Sequence, residues 1–442
     1  MRTNKYKWLR LAVILLLLTV MFSAQKPQVQ TAAAQSQPQV GMVCTYAGAN
    51  PTFTLTTQTG YIILPDANTM FMWGYSLAGQ PFQHPSPVLC VHEGDTVTVI
   101  LQNTFNEPVS IMFPGQDNVM VNGALAQPEF DAGGNVTSLT NTAPVGGSIT
   151  YSFVASHPGS FIYESGTKPE KQVRMGLFGA LIVRPAMGDN YSFNRADSQF
   201  DTNEEFLALL SEIDPYQHQA VQNNQTFNMN NYHPRYWLLN GRGFPDSIAD
   251  NFASWVPNQP YGALARIHPW NTQQFLADGI TPNPAYKPYP GIVHYLNVGT
   301  DDYPFHPHGN NGVVIGRDGQ PLEGSSGQDL SFETFAINLG PGQTWDVLFK
   351  WYDAEGYTMD TNPVTVTIPD PANMTVGMFF SGSPYLGKMG PMLPGTSTLN
   401  QCGEYYIISH NHALAQVTSW GVTMTGPITY LRIDPPLPNM CP

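Results

Sequence analysis

Alternation of apolar and polar residues with a period of two organises much of this chain. Thr96-Val97-Thr98-Val99-Ile100-Leu101 alternates, while Ile149 to Val154 and Gly179 to Val183 are rich in β-branched and aromatic residues. Such runs predict strands. Forty Gly and 39 Pro punctuate them and few long amphipathic helical patterns appear, so the expected class is all-β, of sandwich type.

The strand-like runs recur. Gly94 to Asn103 is followed twelve residues later by Gly115, and Gly291 to Asn297 is followed twelve residues later by Gly309. Further on, Gly159 to Gly166 leads into Gly179-Ala180-Leu181-Ile182-Val183-Arg184-Pro185, much as Gly403 to His412 leads into Gly426 and the run from Ile428 to Pro435. Two copies of one β domain fit this spacing, one over residues 35–190 and one over 200–436. The second is longer, and its Pro/Asn-rich stretches 250–290 and 352–400 read as loop insertions.

Composition adds a compartment. Arg2, Lys5, Lys7 and Arg10 precede the apolar run Leu11–Phe22, and small residues follow at Ser23-Ala24 and Ala32-Ala33-Ala34. This is the pattern of an export signal over residues 1–34, and the run is short for a bilayer span, so a cleaved and secreted product is expected rather than an anchored one. A Gln/Pro/Ala-rich linker continues to about Val40. The first 34 residues hold five Lys or Arg and no acidic residue, so the formal charge of −14 becomes −19 beyond them. Such a surface excludes nucleic acid as a partner and attracts cations. Cys44 and Cys90 lie in the first half and Cys402 and Cys441 in the second, with no Cys-x-x-Cys, which suits one structural disulfide per half in an oxidising compartment.

The candidate chemistry is histidine. His306-Pro307-His308-Gly309 and His410-Asn411-His412 are the two His-x-His elements, each in or beside a β-patterned run. On a strand, residues i and i+2 share a side, so both rings of a pair can face one cavity and four nitrogens can surround one transition-metal ion. His84, His92, His157, His218, His233, His268 and His294 have no ligand spacing and read as ordinary surface or core residues. Met374, Met378, Met389 and Met392 form a methionine-rich stretch that reads as a flexible apolar loop, with Cu(I) binding as the alternative.

His-Pro-His-Gly, the run from Pro158-Gly159 to Val183, and His410-x-His412 together resemble the multicopper oxidases. The resemblance covers nearly the whole chain beyond the signal and implies two cupredoxin-like Greek-key β-sandwich domains, copper as cofactor and a homotrimer. It also implies four short histidine motifs around three coppers, with a Cys and two His at a separate blue copper. Matched position by position, the first motif falls on Met112-Phe113-Pro114-Gly115 and the second on Glu164-Ser165-Gly166, so both lack histidine. The third keeps His306 and His308 but has Tyr303 at its leading position; the fourth keeps His410 and His412 but has Asn411 for the Cys, Gln416 for the last His, and Gly421 near the axial position. The implied protein is a copper binder without a blue-copper centre or a full three-copper cluster. Glu164 is the candidate fifth ligand or proton-handling residue, expected to approach His410 and His412 within a protomer or across a trimer interface. Two alternatives stay open: a metal-free extracellular scaffold, and a mononuclear oxidoreductase using copper, zinc or another transition metal. The substrate is an unidentified small molecule or none.

Overall fold

The structure is a computed structural model that describes residues 39–351, 405–434 and 436–438. Its first half contains seven principal strands: β1 (Thr52–Ile63), β2 (Thr69–Leu77), β3 (Leu89–His92), β4 (Thr96–Gln102), β5 (Ser148–Val154), β6 (Gly159–Glu164) and β7 (Phe178–Arg184). One sheet runs β2-β1-β4-β5 and continues into two short edge strands; the other runs β6-β7-β3. The alternation at 96–101 is realised on β4, where Val97, Val99 and Leu101 are buried and the residues between them are not, and β5 repeats the pattern. These inward residues meet Phe161, Tyr163 and Leu181 of the second sheet in one core.

The second half adds β8 (Glu205–Ile213), β9 (Tyr236–Leu239), β10 (Ala265–Ile267), β11 (Gly291–Asn297), β12 (Tyr303–Pro307), β13 (Gly312–Arg317), β14 (Ile337–Leu339), β15 (Thr344–Phe349), β16 (Tyr405–Asn411) and β17 (Ile428–Ile433). The larger sheet carries β13-β15-β11-β8-β9 and the smaller is β10-β17-β16-β12-β14. The repeat in the sequence becomes a repeat in topology. β1 is parallel to β4, which is antiparallel to β5; β8 is parallel to β11, which is antiparallel to β15. Likewise β6-β7-β3 matches β16-β17-β10, each an antiparallel pair extended by a parallel strand. The stretch 250–290 is therefore more than inserted loop, because β10 completes the smaller sheet. The stretch 352–400, with Met374, Met378, Met389 and Met392, and Cys402 and Cys441 lie outside the described residues. Cys44 and Cys90 form a disulfide with an S–S distance of 2.00 Å. Among the described residues, no helix is long and apolar enough to cross a membrane.

β8 and β11 are buried at every residue, which a half-exposed strand would not be. Their second face is covered by the first half: Cys90, Ile162, Ala180 and Ile182 pack with Leu207, Leu209 and Leu296 in one cluster. A buried ionic network crosses the same boundary. Arg184 of β7 donates to both carboxylate oxygens of Glu205, whose Oε1 lies 2.9 Å from His294 Nε2. His294 Nδ1 lies 2.6 Å from Asp346 Oδ1, and the Ser160 hydroxyl of β6 donates to the same oxygen at 2.6 Å. Isolated buried charges are costly, and here each charged group has an opposite partner at hydrogen-bond distance.

Burial alone would push His294 down, but its hydrogen bonds to Asp346 and Glu205 outweigh this and raise it from 6.5 to about 9. Burial would raise Glu205, yet the Arg184 charge and the bond from His294 hold it down at about 2. The contribution of His294 is therefore fully present below its ordinary value of 6.5 and is lost as pH rises through about 9. That of Glu205 is present above 4.5 and is lost as pH falls toward 2. Thermal unfolding followed against pH is expected to lose on the order of 3 kcal/mol of stability across the alkaline limb, by the linkage of roughly 1.4 kcal/mol per pH unit. His294→Asn should flatten that limb; an unchanged limb would refute the assignment.

Candidate metal centre

The candidate centre is built by two adjacent antiparallel strands. β12 pairs with β16 so that His306 stands directly opposite His410. Along β12, Tyr303, Phe305 and Pro307 point into the core while Pro304 and His306 are only half-buried. His308 follows one residue beyond the strand end and returns to the chain through Gly309, whose φ of +72° and contact with Ile407 (2.9 Å to a Cβ placed there) suit glycine. The same alternation on β16 buries Asn411 and leaves His410 half-buried and His412 exposed.

The four imidazoles lie close to one another. Ring centroids lie 4.6 Å apart for His306 and His308, 5.1 Å for His308 and His410, 5.4 Å for His306 and His412, and 5.5 Å for His410 and His412. His306 Nδ1–H donates to the Phe335 carbonyl and His410 Nδ1–H to the Asn411 carbonyl. In the neutral ring these bonds leave Nε2 of each as the lone-pair nitrogen. His308 Nε2 lies 3.1 Å from His410 Nε2, so a single proton joins that pair. Burial, then the neighbouring His306, lowers the pKa of His308. Burial also lowers His410, opposed by its bond to the Asn411 carbonyl and reinforced by His412. Both effects favour the neutral, ligand-competent form. Among the described residues, no three His, Cys, Asp or Glu side chains already close around a common point. The rings form an open group held by the His308–His410 contact.

The inward side of the same strands has a different character. The hydroxyl of buried Tyr303 donates to Glu212 Oε2 at 2.7 Å, and Glu212 Oε1 also accepts from Arg174 at 2.9 Å and from the Thr300 hydroxyl at 2.7 Å. The Asn411 amide donates to Gln416 Oε1; the Gln416 amide donates to Asp301 Oδ2 at 3.1 Å, as does the Trp237 indole at 2.9 Å. Each of these contacts pairs a donor with an acceptor, and Arg174 Nε alone of the Arg174 and Glu212 atoms is buried without a partner.

Glu164 is not in the histidine group. It ends β6, where its backbone pairs with Met112, so the segments matched to the first two motifs are indeed neighbours. Burial raises its pKa and the nearby Arg174 charge opposes this; none of the four imidazoles is among the groups acting on it. His84, His218 and His294, expected from their spacing to be surface or core residues, are all buried. His294 sits in the ionic network, and His84 and His218 are fully buried. The signal was available for His294, since an imidazole inside the apolar run Gly291–Asn297 requires buried partners.

Residues 77–187 match the multicopper oxidase family. A probable nitrite reductase-hydroxylamine oxidoreductase fusion protein from Kuenenia stuttgartiensis is 34% identical over 133 residues, 29% of this chain and 14% of that protein; the match thus spans a small part of the relative. A solved structure of a multicopper oxidase designated mgLAC superimposes with a TM-score of 0.54 at 16% identity, covering 87% of this chain and 86% of that one. The blue copper oxidase from Nitrosomonas europaea gives 0.52 at 16% identity, covering 87% and 85%. Residues 77–187 thus match the multicopper oxidase family, and the fold over most of the chain is that of solved multicopper oxidases.

Proposed function

We propose that this protein is an exported, two-domain relative of the multicopper oxidases that binds copper at His306, His308, His410 and His412, without a blue-copper centre or a complete three-copper cluster. The observation that carries the reading is the convergence of four imidazoles, with His306 oriented by the Phe335 carbonyl so that its Nε2 is free to ligate and His410 oriented by the Asn411 carbonyl so that its Nε2 turns to His308. An all-imidazole donor set suits copper, and also zinc or another transition metal. Bound there, copper would supply one-electron redox chemistry or Lewis acidity. The chain's own part is to orient His306 and His410 through the Phe335 and Asn411 carbonyls, favour the neutral form of His308 and His410, and leave His412 open to solvent. The inward residues do not fit a blue copper, because Tyr303, Asn411 and Gln416 offer no thiolate or imidazole and their polar atoms are engaged with protein partners. Export is supported by the N-terminal pattern and the Cys44–Cys90 disulfide. Glu164 belongs with Arg174 inside one chain, so a part in proton handling at the histidines requires a neighbouring copy, as in the homotrimer that the family resemblance implies.

The direct His308–His410 hydrogen bond favours a second reading, in which the rings pack without metal in an extracellular scaffold. Elemental analysis of the exported protein purified without chelators separates the two. About one transition-metal ion per chain is expected, falling to background in a His306→Ala/His410→Ala variant, with no blue thiolate absorption in either. Absence of metal from both would select the scaffold.

The inward network makes a separate prediction. Tyr303→Phe leaves the buried Glu212 carboxylate short of one donor and is expected to cost about 1–3 kcal/mol in urea unfolding, with bound metal unchanged. Loss of metal in this variant would contradict the division between the two sides.

A further inference from the structure

At one corner of the first half's larger sheet, outward-facing side chains floor a cavity. Thr96 opens β4 and stands opposite Val154, the last residue of β5, while Ser152 stands opposite Met120 of the adjoining edge strand. These four lie on the face that the buried row Ile149, Tyr151 and Phe153 leaves to solvent. The chain leading to the edge strand borders the same space: a turn closes where the Gln116 N–H donates to the Phe113 carbonyl, Asn118 follows at a φ of +49°, and Asp117 between them forms one wall. Ser156 and His157, just beyond β5, form another. The cavity has a volume of about 370 Å³, at the small end of ligand pockets, which run from roughly 300 to 1,000 Å³.

The groups around it are incompletely matched. Asp117 Oδ2 lies 3.4 Å from His157 Nε2, and among the described residues that imidazole is its one ionic partner, with side-chain exposures of 68% and 49%. An imidazole carries charge only when protonated, so the pair is weaker than a carboxylate facing a permanent cation. The Ser156 hydroxyl is shut off from water and has no hydrogen-bond partner. Val154 leaves half of its apolar surface uncovered. A carboxylate, an unmet hydroxyl and an apolar floor in one small cavity complement a cationic head on a short apolar body. The net negative charge of the chain favours a cation at longer range. A second cavity, of about 260 Å³, shares His157, but its ionic groups are already engaged: Glu93 Oε2 accepts from the Ala186 N–H at 3.0 Å and the Asn194 amide at 2.7 Å, and Arg195 pairs with Asp197 and Asp329.

We propose that the larger cavity binds a small organic ammonium, a primary amine on a short apolar body. The ammonium pairs with Asp117 in place of His157 and directs one N–H to the Ser156 hydroxyl, while the body lies on Val154 and Met120. A primary ammonium carries three N–H donors, enough for both contacts with one left for solvent. A metal ion fits poorly, because Asp117 and His157 are joined by no third His, Cys, Asp or Glu among the described residues. The site shares no residue with the histidine group on β12 and β16.

Phenethylammonium is the probe, with phenethyl alcohol and phenylacetate as its neutral and anionic counterparts. Binding to the full chain is followed by titration with saturation-transfer NMR read on the probe. The ammonium is expected to bind, and both counterparts to bind about fivefold more weakly or not at all. Asp117→Asn should weaken the ammonium by about the same factor. Val154→Lys tethers an ammonium beside Asp117 from a half-exposed position and should displace the probe. His157→Ala removes the group that the ligand replaces and should tighten binding, a change opposite in sign to damage of the fold. Absence of binding, equal binding of phenethyl alcohol, binding undiminished in Val154→Lys, as for an amine held on metal at the histidine group, or weaker binding in His157→Ala overturns the proposal.

Discussion

The two-residue period of the β-strand is the constraint from which the rest of the candidate centre follows. On β12 it sends Tyr303 and Phe305 into the core and His306 to the opposite side; on β16 it buries Asn411 between His410 and His412. Antiparallel register then fixes His306 against His410. Two chemical environments are thus mounted back to back on one pair of strands. The outward side keeps four imidazoles. The inward side holds neutral and carboxylate hydrogen-bonding groups that satisfy one another. A one-residue slip of either strand would exchange the two sides, which is why the buried aromatic residues on the inner face also protect the geometry of the outer one.

The boundary between the halves has a similar economy. β8 and β11 are covered on both faces, once by their own sandwich and once by β3, β6 and β7. A wholly apolar contact would hold these faces together but specify their alignment weakly. The chain from Arg184 through Glu205 and His294 to Asp346 and Ser160 has directional requirements at each step, and those are met in one arrangement. Apolar burial supplies the attraction and the ionic chain selects the alignment. Removing one charged member would leave another buried without compensation.

Much of this was legible in the sequence. The strand alternation at 96–101, the internal repeat and the shared side of each His-x-His pair all follow from local periodicity, and local periodicity is what a sequence displays most directly. Partner identity was less legible. Nothing around Tyr303 announces Glu212, 91 residues away, and nothing around Glu164 announces that its charged neighbour is Arg174 rather than a histidine. Those pairings depend on how sheets stack. The one strand of the smaller sheet inside 250–290 was hidden for a related reason: the three-residue β10 is too short to show a period and exists because β17 offers an edge to pair with.

The same reasoning bears on how such a site can persist while its neighbour changes. On the inner face Tyr303, Asn411 and Gln416 are donors and acceptors that the neighbouring carboxylates and amides meet, so the strands stay in register. The outward histidines are half-buried or exposed and depend on that register more than on their own packing. A strand pair can therefore carry different side chains on its two faces and keep one register, provided each inward polar residue has its own hydrogen-bond partner. Tyr303 with Glu212 and Asn411 with Gln416 meet that condition.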